Sequence, residues 1–387
     1  MKKLSYTFYL FIFLSISTCV KEKKVVPNNA EFVELSGYMA GNDISTIFSN
    51  DGNLLMCAND SNKITLYKTS QDGALIWTKK YNFDNNYSTT GLIQTVSNDI
   101  FICTSSDKNY STSLYDILLI KTNDIGDTIW TKTYGTSDNE YFKSIIKTSD
   151  GNILISCETK NHTNNNLSDV YVLKVNTDGD VIWSSIYEDL NSEEIFSVLE
   201  TQNGEYLLTG QAYPANFETQ IYLLKINSSG EKLWDKKMGE KCTATSTIEL
   251  SNGDLVMSGK VLYKGDAQQA IVKTDNLGNP IWSKIYGDNK HSEYCTSIKE
   301  KPDGTFLICG YSTSINNYEV RPDILLSNID QNGNKIWSKI FGSSKDDIAQ
   351  NMLLDANENI IITGHTTSDL YTPAIFIVKV DKNGNYY

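Results

Sequence analysis

Short apolar runs separated by Asp-Gly or Asn-Gly turns recur along most of the chain, and one repeat unit is clearest over residues 144–187. In this unit a tight turn joins the runs Ser144–Thr148 and Ile153–Ser156, and a second turn joins Val170–Val175 and Val181–Tyr187. Asp-Gly and Asn-Gly favour hairpins, because glycine accepts the positive φ that these turns require. The pattern predicts four antiparallel strands per unit, and helical periodicity is absent from these units.

The unit recurs with a period near 50 residues. Every Trp has a Gly four residues before it, and successive Trp residues are 53, 53, 51, 48 and 55 positions apart. The six pairs are Gly73 with Trp77, Gly126 with Trp130, Gly179 with Trp183, Gly230 with Trp234, Gly278 with Trp282, and Gly333 with Trp337. A fixed period of this length, with four short strands per unit, is typical of the blades of a β-propeller.

The number of blades follows from the second strand, which recurs seven times. Its predicted first residues are Leu54, Ile100, Ile153, Tyr206, Leu255, Phe306 and Ile360. The Trp-bearing fourth strand occurs only six times, whereas residues 31–37 (EFVELSG) match the end of such a strand. We therefore predict an all-β, seven-bladed β-propeller over residues 31–387, a single domain whose last blade is completed by the N-terminal strand. Such closure leaves no free sheet edge inside the ring.

The N-terminal segment has the features of a bacterial signal peptide. Lys2 and Lys3 precede the apolar stretch Phe8–Ile16, which is too short to span a membrane. The sequence Ile-Ser-Thr-Cys that ends at Cys19 resembles a lipobox, in which the Cys is lipidated and becomes the mature N-terminus. We predict a signal peptide over residues 1–18, a lipidated Cys19 with a polar tether to residue 30, and attachment to the outer membrane of the cell envelope. Ordinary signal-peptide cleavage, which would release a free secreted protein, is the alternative.

The repeats DGTFLICGYS and DILLSNIDQNGNKIWSKIFGSS resemble those of bacterial secreted propellers and, more distantly, the quinoprotein (PQQ-dehydrogenase-like) superfamily. The resemblance covers residues 31–387 and rests on the Gly-x-x-x-Trp pair, which docks neighbouring blades in those proteins. It implies the fold but not the function, because such propellers include binding proteins, scaffolds and enzymes. The adjacent Cys pair of many PQQ dehydrogenases and assignable PQQ ligands are absent, so we predict no cofactor. The Trp residues offer stacking platforms for sugars, but their shared repeat position favours packing between blades.

Charge and motif content narrow the possible functions. The net charge is −13, or −15 without Lys2 and Lys3, and such a surface would repel nucleic acid. The three His residues lie in different units without a zinc-binding motif, and no catalytic nucleophile motif is present. The Asp/Asn-Gly turns resemble calcium loops but lack the closing carboxylate. The sequence therefore predicts no metal site and no catalytic residue.

Six of the seven cysteines divide into three groups. Cys57, Cys103 and Cys309 occupy one repeat position and are expected to be small buried residues on separate blades. Cys242 and Cys295 begin successive units and are the one pair that we consider for a disulfide in an oxidising envelope. Cys19 is the expected lipidation site.

Candidate binding residues come from the connections on one face of the ring. The connections from second to third strand and from fourth strand to the next blade are longer and more variable than the turns of the opposite face; they define the loop face. Four interblade acids, two of them followed by Tyr, recur eleven residues before the turn glycine position: Glu140 with Tyr141, Glu193, Glu293 with Tyr294, and Asp347. These residues suggest either a site for a cation or basic group with Tyr stacking, or acids that accept hydrogen bonds from the loop backbone.

Three functional hypotheses remain. The leading one is a non-catalytic binding or scaffold lipoprotein, a monomeric domain that uses its loop face to bind a protein or glycan partner and contacts the membrane only through its lipid. The alternative is a glycan-active enzyme, a hydrolase or lyase, which needs two carboxylates at catalytic separation with one raised pKa. The third is a structural part of a larger envelope assembly.

Overall fold

A computed structural model describes residues 24–25, 32–35, 44–60, 63–82, 87–107, 114–160, 167–189, 191–214, 218–287, 291–316, 319–343, 345–367 and 373–386. Every secondary-structure element in these ranges is a β-strand. The described residues contain no helix capable of spanning a bilayer. Cys19 and the predicted signal peptide lie outside the described residues.

Seven four-stranded antiparallel sheets form the blades of the propeller, and six of them take their strands from consecutive stretches of the chain. Blade 1 contains β3 (Ile44–Phe48), β4 (Leu54–Asp60), β5 (Lys63–Thr69) and β6 (Leu75–Tyr81). Blade 2 contains β7 (Tyr87–Gln94), β8 (Ile100–Asp107), β9 (Tyr115–Thr122) and β10 (Thr128–Tyr134). Blade 3 contains β11 (Asn139–Lys147), β12 (Ile153–Lys160), β13 (Ser168–Val175) and β14 (Val181–Tyr187).

The remaining blades repeat this arrangement. Blade 4 contains β15 (Ser192–Glu200), β16 (Tyr206–Tyr213), β17 (Gln220–Ile226) and β18 (Lys232–Met238). Blade 5 contains β19 (Cys242–Glu249), β20 (Leu255–Tyr263), β21 (Asp266–Thr274) and β22 (Pro280–Tyr286). Blade 6 contains β23 (Ser292–Glu300), β24 (Phe306–Asn316), β25 (Glu319–Ile329) and β26 (Lys335–Phe341), with the short strand β1 (Lys24–Val25) on its outer edge. Blade 7 contains β27 (Asp346–Leu354), β28 (Ile360–Thr367), β29 (Pro373–Val380) and β2 (Phe32–Leu35).

The ring is closed by the N-terminal strand, as predicted. β2 pairs antiparallel with β29, with Phe32 opposite Val378 and Leu35 opposite Ile375. The first strands of successive blades contact each other around the axis, and β27 also contacts β3. The seven-bladed all-β prediction is therefore confirmed, and the last blade contains strands from both ends of the propeller sequence.

The predicted strand starts agree with the structure for the second strands, whereas the first strands and two loops differ, and β12 continues to Lys160, beyond the predicted end at Ser156. All seven second strands begin at the predicted residue. β11 begins at Asn139 rather than Ser144, because a β-bulge between Phe142 and Ser144 interrupts the alternation that the prediction used. Two of the second-to-third-strand connections, which the sequence predicts to be long and variable, consist largely of paired strand: segments 261–266 and 312–321 extend their hairpins beyond those of the other blades.

Each Trp packs against the turn glycine of the next blade. A Cβ placed on Gly179 would lie 2.7 Å from Cη2 of Trp130, so the indole rests directly on the glycine backbone. Tyr134, on the same strand as Trp130, donates from its hydroxyl to Gly179 O at 2.7 Å, and Lys132 pairs with Asp180 at 2.9 Å. The same glycine–Trp contact occurs at Gly126, Gly230, Gly278, Gly333 and Gly384. The prediction that the Trp residues dock neighbouring blades is confirmed.

The hydrophobic core is divided among the junctions between blades. Each junction contains a cluster of buried aliphatic and aromatic side chains from two adjacent blades. Cys57, Cys103 and Cys309 are fully buried in these clusters, as expected from their shared repeat position. Cys242 and Cys295 are both free thiols, so the disulfide considered for this pair is absent. Apolar burial therefore holds adjacent blades together, without a covalent link among the described cysteines.

Candidate functional site

A cavity of about 400 Å³ lies on the axis of the ring, and the first strands of all seven blades line it. Its wall combines apolar side chains, including Leu92 and Ile145, with hydroxyl and amide side chains, including Ser45 and Asn351. A volume of this size falls within the range of small-molecule sites. Ser144, like Ser45, lines the cavity from a first strand.

A recurring β-bulge places side chains on this cavity wall. In blades 3 to 7, one residue of the first strand has no partner on the second strand, and the register shifts by one at that point. Bulges redirect side chains that regular alternation would place elsewhere. The five bulge residues all line the cavity: Lys143, Phe196, Thr245, Thr296 and Gln350. One repeat position therefore presents a cation, an aromatic ring, two hydroxyls and an amide to the axis.

A second varied position lies near the loop-face end of each blade, and we call its members the mouth residues. On the second strands these residues are Asn59, Ser105, Glu158, Gln211, Lys260, Tyr311 and His365. Their partners directly opposite on the first strands of blades 3 to 7 are Tyr141, Glu194, Thr243, Tyr294 and Ile348. The glycine–Trp dock hardly changes from blade to blade, whereas the second-strand mouth residue is different in all seven.

Lys143 connects the mouth of blade 3 to that of blade 4. Its Nζ lies 2.9 Å from Glu158 Oε2 and 2.5 Å from Glu194 Oε1. Lys160 Nζ approaches the other Glu158 oxygen at 3.2 Å, and Gln211 Nε2 donates to Glu194 Oε2 at 2.8 Å. This network joins two blades across the loop-face rim of the cavity.

The charge state of this network follows from its geometry. Burial by itself lowers the pKa of Lys143, but Glu158 and Glu194 outweigh burial and hold that pKa above its usual value. Burial by itself raises the pKa of Glu158, but Lys143 and the hydroxyl of Ser168 outweigh it and lower the pKa. Lys143 is therefore protonated and Glu158 ionised at neutral pH.

Tyrosines flank the mouth on two sides. Tyr141 is half-buried, with its ring centroid 5.4 Å from that of Tyr115, and Lys160 Nζ lies 5.1 Å from the Tyr141 centroid. In blade 6, Tyr294 stacks on Tyr311 at 4.6 Å. Tyr141 and Tyr294 from the predicted site are thus mouth residues, and aromatic packing orients both of them.

The four acids of the predicted site lie beneath the loop face rather than on its surface. Glu140 and Asp347 are 0% exposed, Glu193 is 1% exposed and Glu293 is also buried. The Ser343 backbone N–H donates to Asp347 Oδ2 at 2.5 Å, so this acid caps the preceding interblade connection. For Asp347 this contact agrees with the second interpretation, in which the acids accept hydrogen bonds from the loop backbone.

Glu193 has an unusual environment at its junction. Burial raises its pKa to about 7, although Lys237, at 2.8 Å, opposes the rise; Asp189 and Asp169 add to it. A raised carboxyl pKa means that the folded state binds this proton more tightly than the unfolded state. The stability from this proton is complete below the unfolded pKa of 4.5 and is lost as the pH rises through about 7.

We therefore expect Glu193→Gln to weaken the pH dependence of stability. The wild-type free energy of unfolding should fall between pH 5 and pH 8, and this fall should be smaller in the variant by on the order of 2 kcal/mol. Urea unfolding at pH 5, 6, 7 and 8 measures the difference. Glu200→Gln, an equal change on the short-turn side of the same blade, should leave the profile as in the wild type. Equal slopes for Glu193→Gln and the wild type would show that Glu193 is ionised throughout this range.

The sequence interpretation missed several residues that the structure brings together at the mouth. They are Lys143, Glu158, Glu194, Lys260 and Tyr311. These residues could have been found from the sequence, because the residue type at this one repeat position varies between otherwise similar repeats. On the first strands the bulge concealed the variation, since every side chain before the bulge points to the face opposite to the one that regular alternation predicts.

Comparisons with other proteins support the fold. No protein-family model and no curated protein matches the sequence. A protein of unknown function from Dyadobacter fermentans is 14% identical with a TM-score of 0.51, over 76% of this chain and 94% of that one. The Hadza microbial sialidase Hz136 is 11% identical with a TM-score of 0.51, over 86% and 74%. BBS1N, solved in complex with ARL6DN, is 7% identical with a TM-score of 0.55, over 92% and 99%. At these identities the similarity extends to the propeller fold alone.

Proposed function

We propose that this protein is a non-catalytic binding module of the bacterial cell envelope, and that its ligand binds at the loop-face mouth of the central cavity. The observation that carries the proposal is the contrast between constant and varied repeat positions. The residues that dock the blades recur around the ring, whereas the second-strand mouth residue differs in all seven blades and the bulge residue of blades 3 to 7 varies among Lys, Phe, Thr and Gln. Recognition of a ligand without sevenfold symmetry requires such a difference, since a symmetric mouth would offer seven equal sites.

The charge state of the mouth favours binding over glycan hydrolysis. Glu158 and Glu194 both contact Lys143 Nζ, so one carboxylate oxygen of each lies at most about 5.4 Å from the other. This distance resembles the separation of the two catalytic carboxyl groups in a retaining glycosidase. A glycosidase also needs one protonated carboxyl, and the pKa of Glu158 is below its usual value. Glu193 has a raised pKa but is too deeply buried to reach a substrate. The similarity to a sialidase extends to the fold and adds nothing to the enzymatic alternative.

The direction of the short strand β1 indicates which face of the propeller lies nearer to the lipid anchor. β1 pairs in parallel with β26, with Lys24 opposite Ile340 and Val25 opposite Phe341. Since β26 runs from the short-turn face towards the loop face, the chain enters β1 from the short-turn side. Cys19 is five residues before Lys24, so a lipid on Cys19 lies within about 18 Å of the rim of blade 6. This arrangement supports a loop face that points away from the bilayer.

Capture of an envelope partner tests the proposal. The bait is the lipidated protein in mild detergent, incubated with gently solubilised envelope. We expect the double variant Tyr141→Ala and Tyr294→Ala to retain at most one tenth of the wild-type capture, because it removes an aromatic contact from each side of the mouth. Quantitative mass spectrometry of the eluates measures the change.

The matched control changes two exposed residues of the outer rim. Ile129 and Ile182 are 53% and 48% exposed, and their replacement by Ala leaves the loop face intact. The control should capture as the wild type does, and melting curves establish that both variants are folded. Equal capture by the mouth variant and the wild type would contradict a loop-face site, and loss of capture in the rim control would place the binding surface on the rim.

A further inference from the structure

Phe196 is a partly buried aromatic residue on the cavity wall. It is the bulge residue of β15 and lines the central cavity, but it belongs to none of the hydrophobic clusters that the described residues form. It is also the one aromatic residue among the five bulge residues of blades 3 to 7. An aromatic ring on the wall of an open polar cavity provides a flat surface on which a ligand can stack.

The part of the cavity wall formed by blades 5, 6 and 7 carries hydroxyl and amide groups held in place by backbone contacts. Thr245 Oγ1 donates to Cys295 O at 2.8 Å and Thr296 Oγ1 to Cys309 O at 3.2 Å. A hydroxyl whose proton is used in this way still accepts hydrogen bonds. Gln350 Oε1 accepts from Ile44 N at 3.0 Å, which fixes the orientation of its amide. The wall therefore offers oriented hydroxyl oxygens that can accept hydrogen bonds from the hydroxyl groups of a ligand.

The charge of the cavity argues against an anionic ligand. Among the described residues that line it, Lys143 is the one charged side chain. Its ammonium group is neutralised by Glu158 and Glu194, at 2.9 Å and 2.5 Å. Lys160 also pairs with Glu158, so the network as a whole is neutral, and a phosphate, sulfate or carboxylate that entered the cavity would meet no uncompensated cation.

We propose that the cavity binds the end of an uncharged saccharide, with the carbon face of one sugar ring on Phe196 and its hydroxyl groups on the wall formed by blades 5, 6 and 7. A sugar ring has this combination of an apolar face and a hydroxyl-bearing edge, and about 400 Å³ accommodates a small ligand. The inference rests on the proposed function, since it names the ligand class of the same mouth.

A glycan array followed by titration calorimetry tests the assignment. The probes are neutral mono- to tetrasaccharides and their sialylated and sulfated counterparts. We expect wild-type protein to bind at least one neutral probe, Phe196→Ala to bind it at least tenfold more weakly, and Phe196→Tyr to stay within about threefold. The side chain of Phe196 lies outside the core clusters, so the Ala variant should keep the wild-type melting temperature.

Three results would overturn the assignment: no binding to any neutral probe, binding to anionic probes alone, or unchanged affinity in Phe196→Ala. The capture experiment separates this failure from that of the proposed function. Suppose that capture of a partner requires Tyr141 and Tyr294 but not Phe196, and that the protein binds no neutral saccharide. The proposal of a binding module would then be supported, and the saccharide assignment would be wrong.

Discussion

A chain that begins at residue 38, and so lacks β2, is expected to lose much of its stability and to self-associate. β2 supplies the outer strand of blade 7 and pairs with β29 from Phe32 to Leu35. Its removal breaks the backbone hydrogen bonds of that pairing, which contribute roughly 2–4 kcal/mol together, and exposes the unpaired edge of β29. An exposed strand edge is a template for pairing with another chain. Urea unfolding and light scattering measure the two effects.

A chain that begins at residue 30 is the matched control. It lacks β1 and the tether but keeps β2, so it separates ring closure from mere shortening. We expect it to be monomeric and within about 1 kcal/mol of the full chain. If both shortened chains had the same stability and the same monomeric state, the N-terminal strand would have no part in closing the ring.

Gly179→Ala is expected to be among the most destabilising single substitutions in the propeller. Gly179 has φ +78°, and an added Cβ would lie 2.7 Å from Trp130 Cη2 and 2.9 Å from the Tyr134 hydroxyl. The positive φ costs an L-residue about 1 kcal/mol, and displacing the rigid indole adds roughly 1–3 kcal/mol. We expect a total loss of roughly 2–4 kcal/mol in the free energy of unfolding.

Gly151→Ala in the same blade isolates the contribution of the Trp contact. Gly151 has φ +82°, nearly equal to that of Gly179, but no atom lies within 4 Å of an added Cβ. This variant should lose only the backbone cost of about 1 kcal/mol. Chemical denaturation of the two variants measures the difference. Equal losses would mean that Trp130 moves aside without cost and that the glycine–Trp contact does not hold the blades together.

Much of the fold was predictable because each blade repeats the same local chemistry. The turn glycines mark the hairpins, and the Gly-x-x-x-Trp spacing marks each fourth strand and its contact with the next blade. The match between residues 31–37 and a fourth strand predicted ring closure correctly. The first strands were less predictable: a bulge such as that at Lys143 breaks the two-residue alternation from which strands are recognised.

The candidate site was predictable only in part. Tyr141 and Tyr294 were identified by their position and lie at the mouth, whereas the acids beside them are buried at the blade junctions. The role of an acid that recurs in each repeat is ambiguous from sequence, because the same spacing occurs whether the carboxylate accepts hydrogen bonds from a loop backbone or binds a ligand. Lys143 and Phe196 line the cavity only because the bulge turns their side chains towards the axis. The direction of a bulge residue's side chain cannot be read from the local sequence pattern.

Hydrogen–deuterium exchange of the complex with a captured partner or bound saccharide locates the binding surface on the propeller. We expect slower exchange in peptides from β11 and β12 and from β23 and β24, at their loop-face ends, with unchanged exchange in the turns at Gly151 and Gly179. Protection confined to the short-turn face or the outer rim would contradict a binding site at the mouth of the cavity.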